Sequence, residues 1–250
     1  TGIITLNAAK TFGAGVPLTV NTDATLNVVA FSNTFGSGSV ITVDGTWQTA
    51  NVHGFSGGAL TSIQNTNSPA VTFGTFSTIE YNLAGAQTVT PISYVSLKLS
   101  GSGAKTLTGV SSINRNFAFA GTATASAANN ITIGGDLVLG NLTAFTAGAF
   151  IHNVGGNWTN NGATFTNTGS TINFNSTSAD QEINGTVVTQ TFNNVTVAKS
   201  TKALKFSGST AAVTVGGTLT MTSGNIDCGT GTLQLGTGIG AVGTLTYTAG

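Results

Sequence analysis

The amino-acid sequence predicts an all-β protein and, within that class, a parallel β-solenoid (β-helix) of roughly ten irregular coils. Apolar residues recur at every second position, as where Ile172 and Phe174 alternate with Thr171 and Asn173. Phrases made of a strand, a tight turn and a second strand recur along the chain. No apolar stripe with helical spacing runs for about ten residues, so almost no helix is expected.

Taken in order, the short alternating runs predict strands that Gly, Asn, Asp or Ser usually separates. The best helix candidate, TATASAANN at 122–130, is short, Thr-rich and ends in two Asn, so no helix is expected there. The predicted strands are Leu18–Val20, Leu26–Val28, Val40–Val43, Ile79–Tyr81, Leu97–Leu99, Phe117–Phe119, Ile131–Ile133, Leu137–Leu139, Ile172–Phe174, Val195–Val197, Val213–Val215, Leu219–Met221, Leu233–Leu235 and Leu245–Tyr247.

Internal repeats define the domain organisation. The phrase beginning STIEYN at Ser77 returns as STINFN at Ser170, and ITIGGDLVL at 131–139 returns as VTVGGTLTM at 213–221. VDGTW and VGGNW form a third pair. Strands joined by tight turns and variable corners are typical of stacked coils, because each coil buries its inner face only against a neighbour. We therefore expect one solenoid domain over 1–250, with degenerate repeats that are most alike over about 77–169 and 170–250.

A pair of immunoglobulin-like sandwiches is the alternative fold, since it would also give many short strands, and 250 residues suffice for two. Sandwich hairpins favour two-residue turns between long alternating strands. Here, short strands meet at corners of the form LxVxxxxTLxV, and the solenoid is the preferred interpretation.

The composition restricts the partners. Charged residues make up 6% of the chain, and seven basic side chains balance seven acidic ones. There is no positive field to hold phosphates, so nucleic acid is not an expected partner. A net charge of zero also removes the repulsion that keeps domains apart in solution, so association with copies of itself is expected.

The chain also limits disulfide, metal and membrane chemistry. Cys228 is alone, so it cannot form an intrachain disulfide or a Cys-rich zinc site, and a core role is expected. No run approaches the roughly 18 uninterrupted apolar residues of a membrane helix, so no membrane insertion is expected. The chain starts at Thr1 without a leader-like segment, and we expect any signal peptide to have been removed or to lie upstream.

Several phrases resemble the β-helical repeat regions of very large surface proteins of Bacteroidota that are exported by the type IX pathway. They are VGGNWTNNG at 154–162, STINFNSTSADQEI at 170–183, TFNNVTV at 191–197 and VTVGGTLTMTSGNI at 213–226. The resemblance covers roughly 77–236. It implies an extracellular, cell-surface structural or adhesive role, with no catalytic residues to carry over. The sorting domain usual at the C-terminus of that family is not in this sequence, which suggests either a segment of a longer chain or a small relative that assembles.

The acidic pair Asp180 and Glu182 is a candidate for catalysis. On a strand the two carboxylates would share one face at roughly 7 Å, a separation compatible with acid and base work on a glycoside. The corresponding residues of the earlier copy, Ala86 and Thr88, carry no acid, so we interpret the pair as an exposed strand end and expect no enzymatic activity.

No cofactor or metal site is expected. GIGAVG at 238–243 matches a dinucleotide-binding pattern, but TLTYT follows and indicates a strand where that fingerprint needs a helix. His53 and His152 lack a second ligand at metal-binding spacing, and GGD at 134–136 lacks the further ligands of calcium-binding coils.

Trp47 and Trp158 occupy matching places in the third repeated phrase. An exposed indole there could contact a carbohydrate, although packing in the core or at a corner is the favoured interpretation. Sequons are frequent, as expected of a chain rich in Asn and Thr, and argue only weakly for glycans: Asn130, Asn141, Asn157, Asn175, Asn184 and Asn194.

These observations favour a non-enzymatic extracellular structural or adhesive solenoid, either a surface filament subunit or a segment of a giant adhesin. A carbohydrate-binding module that contacts surface glycans is one alternative. An ice-binding solenoid is another, because TFTNT, TLTMT and TLTYT place Thr at every second residue, although the irregular spacing of these runs argues against a flat face.

The ends of the chain suggest how copies associate. Solenoids that stay monomeric cap their open ends with helices, charges or Pro. Here Ile3, Ile4, Thr5 and Leu6 form an uncharged strand-like run, and TLTYT near the other end is also uncharged. We therefore expect end-to-end stacking or exchange of this first strand, or else coils that continue covalently in a longer polypeptide.

Overall fold

The structure is a computed structural model of the 250-residue chain, and it describes residues 2–238 and 241–247. In those ranges the chain forms strands, turns and bends without any helix, and its parallel strands stack as a β-solenoid of about 11 turns. The predicted class, the solenoid architecture and the approximate number of coils are confirmed. Within the same residues, no helix has the length and hydropathy required to cross a bilayer.

Each coil crosses three faces in a fixed order, and we call them faces A, B and C. Face A consists of β1 (Ile3–Thr5), β4 (Thr25–Asn27), β7 (Thr46–Thr49), β11 (Thr78–Tyr81), β13 (Ser96–Leu99), β16 (Phe117–Phe119), β19 (Leu137–Leu139), β22 (Trp158–Asn160), β25 (Gln181–Gly185) and the second halves of β27 (Asn194–Phe206) and β29 (Thr218–Asp227).

Face B follows face A along the chain, and its ladder has gaps. It contains β2 (Thr11–Phe12), β5 (Thr34–Phe35), β8 (Ser56–Gly58), β9 (Ile63–Gln64), β12 (Gln87–Thr88), β14 (Ser102–Thr106), β17 (Thr122–Ser126), β20 (Ala144–Thr146), β23 (Thr164–Thr166), β26 (Thr189–Phe192), β28 (Ala212–Val215) and β30 (Thr232–Leu235).

Face C closes each coil. It contains β3 (Leu18–Val20), β6 (Val40–Val43), β10 (Ala70–Phe73), β15 (Ser112–Ile113), β18 (Ile131–Ile133), β21 (Ile151–Val154), β24 (Thr171–Phe174), the first halves of β27 and β29, and β31 (Thr244–Tyr247). Because β27 and β29 run through the corner from face C to face A, two of the longest strands each serve two faces.

The core is built from columns of inward side chains, one from each coil. The period of two turns every second side chain inward, and the parallel register places equivalent residues directly above one another. The main column of face A contains Ile4, Leu26, Trp47, Ile79, Leu97, Phe117, Leu137, Trp158, Ile183 and Phe206. All members from Leu26 to Ile183 are buried, so the core runs the length of the rod.

Asparagine and aspartate side chains join successive coils at the corner before face A. Asn116 Oδ1 accepts a hydrogen bond from the Asp136 N–H at 3.0 Å, and Asp136 Oδ1 accepts one from the Asn157 N–H at 2.7 Å. Asn157 Oδ1 then accepts one from the Glu182 N–H at 2.8 Å. Each side chain thus satisfies a backbone donor that the turn leaves without a partner.

The repeated phrases do not occupy the same faces. The first copy places Thr78 on face A, whereas the second places Thr171 on face C. ITIGGDLVL runs from face C to face A, and VTVGGTLTM runs from face B to face C. The second copy of each phrase therefore begins one face earlier in the coil than the first copy. The fold tolerates this shift because all three faces accept a short strand followed by a tight corner.

Candidate functional surfaces

A buried lysine is held by oxygen acceptors at one corner of the rod. Lys105 lies on β14 and is 1% exposed. Its Nζ donates hydrogen bonds to the Leu83 and Gly85 carbonyls at 2.6 and 3.1 Å and to Gln87 Oε1 at 3.2 Å. Gln87 Nε2 donates in turn to carbonyl oxygens of the preceding coil, those of Thr49 at 2.7 Å and Asn51 at 3.0 Å.

The same arrangement recurs in the second copy of the repeat. Lys199 is fully buried, and its Nζ donates to the Ser176 and Ala179 carbonyls, both at 3.1 Å, and to Gln181 Oε1 at 2.8 Å. Gln181 Nε2 donates to the carbonyl oxygens of the coil before, that of Val154 at 2.7 Å and that of Gly156. We call each glutamine and lysine pair, with its carbonyl acceptors, a Lys–Gln clamp.

Each clamp connects three successive coils. Burial lowers the pKa of both lysines to about 8, since an ammonium group loses its hydration in the core. The three oxygen acceptors around each Nζ replace part of that hydration. Sequence reasoning missed these residues, although one signal was present: in both copies the lysine follows the glutamine by 18 residues.

Asp180 and Glu182 are each engaged in contacts with the next coil. Asp180 Oδ1 accepts a hydrogen bond from the Ala203 N–H at 2.9 Å, and its other oxygen pairs with Lys205 Nζ at 2.7 Å. These contacts lower the pKa of Asp180, the backbone hydrogen bond contributing most. Glu182 Oε2 accepts from Ser207 Oγ at 2.8 Å. The observed contacts give both carboxylates a role in joining coils.

Glu80 forms a second polar cluster on face A. Burial alone would raise the pKa of its carboxyl group, but hydrogen bonds from Ser100 and Gln48 and the neighbouring Lys98 outweigh that effect and lower it. The Ser100 and Gln48 bonds measure 2.6 and 2.9 Å, and Lys98 Nζ lies 3.1 Å from the carboxylate. This cluster also links three neighbouring strands.

His152 belongs to the core. It is 1% exposed, its Nε2 lies 2.8 Å from the Ala147 carbonyl, and its Nδ1 has no partner. Burial lowers the pKa of the imidazole, which favours the neutral form. Among the residues that the structure describes, no three His, Cys, Asp or Glu side chains are grouped closely enough to hold a metal ion.

The two tryptophans are buried at equivalent positions. Trp47 and Trp158 are 0% and 1% exposed and share the main inward column of face A. Trp158 Nε1 donates to Gln190 Oε1 at 2.7 Å, whereas Trp47 Nε1 has no partner. These positions fit the favoured interpretation, packing in the core, and do not support the alternative of a carbohydrate contact, because neither indole offers an exposed face to a sugar ring.

The remaining sequence motifs lie at corners or beyond the described residues. GGD at 134–136 forms the bend between β18 and β19. Of GIGAVG, residues 239 and 240 lie outside the described ranges, and the strand β31 follows the motif, as expected. Cys228 is half-buried with a free thiol, and burial raises its pKa.

Both end coils of the described rod leave apolar side chains in solvent. At the first coil Ile3 and Ile4 are 70% and 67% exposed, and a cavity of about 310 Å³ opens beside them. That cavity is lined mainly by apolar side chains, which include Leu6, Phe12 and Leu26. At the last coil Leu245 and Tyr247 are 57% and 71% exposed although they continue inward columns of face C.

Comparison of the chain with protein-family models, with curated proteins and with solved structures yields no match.

Proposed function

We propose that this chain is extracellular structural or adhesive material, serving as a subunit of a surface filament or as a segment of a giant adhesin. The observation that carries the proposal is the apolar character of both end coils. A face of this kind is stabilised when another coil covers it, at roughly 25 cal/mol for each Å² of apolar surface removed from water.

The two ends are suited to one another. A following copy would place β1 above the face A segment of β29, and β3 above β31, so that all three faces continue. The resemblance to exported surface proteins of Bacteroidota supports the extracellular location.

Self-association can be tested with the matched variants Ile4→Lys and Leu142→Lys. Both replace an apolar side chain exposed to about the same degree, 67% and 70%, but Leu142 lies at a corner in the middle of the rod. We expect the wild type and Leu142→Lys to form end-to-end particles in sedimentation velocity and negative-stain microscopy, and Ile4→Lys to remain monomeric. A wild-type chain that stays monomeric at high micromolar concentration would refute the filament and leave the adhesin segment.

A disulfide experiment tests the register of the junction. Asp227 lies opposite Lys205, so the next residue, Cys228, follows in register opposite Phe206. Phe206 belongs to the main inward column that begins at Ile4, and Cys228 continues that column. Neighbouring strands lie about 4.8 Å apart, within the Cα separation that a disulfide allows. Ile4→Cys should therefore crosslink to Cys228 of another copy under mild oxidation, and Leu142→Cys should not.

A further inference from the structure

We propose that face C, from β15 to β31, binds the ordered water lattice of an ice surface. Its outward residues form two columns in continuous parallel register. One column contains Ser112, Thr132, Asn153, Asn173, Thr196, Thr220 and Thr246. The other contains Ile151 and Thr171 on one side of Asn194, and Thr218 and Thr244 on the other. The Asn194 side chain joins the two parts, since its Oδ1 accepts the Thr218 N–H at 2.8 Å.

The regular register makes this surface periodic. Pairings from β15 through the first half of β27 show no register shift, and the shifts between β27 and β29 begin only after Val197. Equivalent side chains therefore repeat about every 4.8 Å along the rod and about every 6.6 Å along each strand. A regular two-dimensional array of small side chains is the arrangement that a lattice of ordered water requires of its partner.

The irregular spacing of the three threonine runs in the sequence does not prevent two of them from lying side by side in the structure. TLTMT and TLTYT are adjacent strands of face C, with Thr218 opposite Thr244 and Thr220 opposite Thr246. TFTNT belongs to face B, so its separate position does not interrupt the array. Thr248 of TLTYT lies outside the described residues.

The chemistry of the array suits water better than a charged ligand. None of its outward positions carries a charge, and threonine dominates, so each hydroxyl that can accept or donate stands beside a methyl group. Hydroxyl groups can take the place of water molecules in a lattice. The neighbouring methyl groups are more favourably placed against the ice surface than in contact with liquid water.

Hydrogen bonds within the array fix the amide side chains. Asn173 Nδ2 donates to Asn153 Oδ1 at 2.8 Å, and Asn153 Nδ2 donates to Thr132 Oγ1 at 3.2 Å. Side chains held in this way lose little conformational entropy when they meet an ordered partner. Face C therefore presents a preorganised surface to a planar lattice.

The test measures thermal hysteresis and ice recrystallisation with the purified chain and two lysine variants. Thr196→Lys places a charge in the centre of the face C array, whereas Thr124→Lys places it on β17 of face B. We expect the wild type and Thr124→Lys to inhibit ice growth, and Thr196→Lys to require a several-fold higher concentration. Circular dichroism and melting curves would establish that both variants fold.

Two results would overturn the assignment. A folded wild-type chain without any effect on ice growth would exclude ice as the ligand. Activity that Thr124→Lys abolishes and Thr196→Lys preserves would place the ice-binding surface on face B. Neither result depends on assembly through the end coils, because hysteresis can be compared in the monomeric Ile4→Lys background.

Discussion

A charge buried in the rod requires acceptors that the surrounding coils must supply. Lys105 and Lys199 obtain three each, two of them backbone carbonyls at corner loops. The third is a glutamine oxygen whose amide nitrogen already binds the coil before. The clamp therefore fixes the position of the corner loop relative to the neighbouring coils. Buried polar groups can in this way favour one register of the coils over others.

Replacement of Lys105 by methionine should destabilise the protein by about 1–3 kcal/mol, because the carbonyls of Leu83 and Gly85 lose their donor in a buried site. Folding stability should also depend on pH. The folded pKa is about 8 and the ordinary value 10.5, so between these values the unfolded chain binds more protons and stability rises with pH. Denaturant unfolding between about pH 8 and 9.5 would measure this slope, which Lys105→Met should reduce.

Lys98→Met is the matched control, since the Lys98 side chain is 39% exposed, although its partner Glu80 is buried. It should leave the slope unchanged. The pH range stops below the titration of Tyr81 and Tyr94, whose raised pKa values would make stability fall at higher pH. For Lys199 the neighbouring Asp180 opposes the effect of burial, so its contribution is measured separately with Lys199→Met. If the slope of stability against pH is equal in the wild type and in both clamp variants, the buried lysines are not the source of the pH dependence.

At the scale of the elements, the corners determine which residues the chain can use. A Cβ atom on Gly135 would lie 2.5 Å from Asn116 Oδ1, the atom that accepts the Asp136 N–H of the next coil. Glycine at this corner therefore allows the side-chain ladder to approach the backbone. The same close approach of a side-chain oxygen occurs at Gly156 and Gly217, which explains in physical terms why GG recurs in IGGDL, VGGNW and VGGTL.

Gly135→Ala should destabilise the protein by about 1–3 kcal/mol, since the added methyl group must displace either Asn116 or the backbone of Arg115. Gly13→Ala is the matched control, because a Cβ there would meet only Val16 Cγ2 at 3.5 Å. Thermal unfolding of the two variants measures the difference. Equal melting temperatures would mean that the corner relaxes without cost.

Much of the element pattern could be predicted because burial in the strands follows the period of two. Predicted strands such as Ile131–Ile133 and Leu137–Leu139 match the observed bounds, and Leu26–Val28 is displaced by one residue. Strands of face B such as β17 (TATAS) were missed, since small residues give little hydropathic contrast. The clamps were missed because their partners come from three coils, and only the shared spacing of 18 residues between glutamine and lysine marks them in the sequence.

At the scale of the whole molecule, the rod is a one-dimensional stack. Interior coils such as that of Phe117 have a neighbour on each side, whereas within the described residues the coils of Ile4 and Leu245 pair with one neighbour each. Stability in such a stack is approximately a sum over coils and their interfaces. Local opening should therefore cost least free energy at the ends.

Hydrogen exchange should reveal this gradient along the chain. Amides of β16, β19 and β22 should exchange most slowly, because their coils are covered on both sides and contain the continuous aromatic core around Phe117 and Phe145. Amides of β1 and β31 should exchange fastest at low protein concentration. At high concentration, protection of both end strands should increase in the wild type but not in Ile4→Lys, because docking removes exposed edges. Mass spectrometry of exchanged peptides would measure this pattern, and uniform protection of all coils at low concentration would instead identify the rod as one cooperative unit.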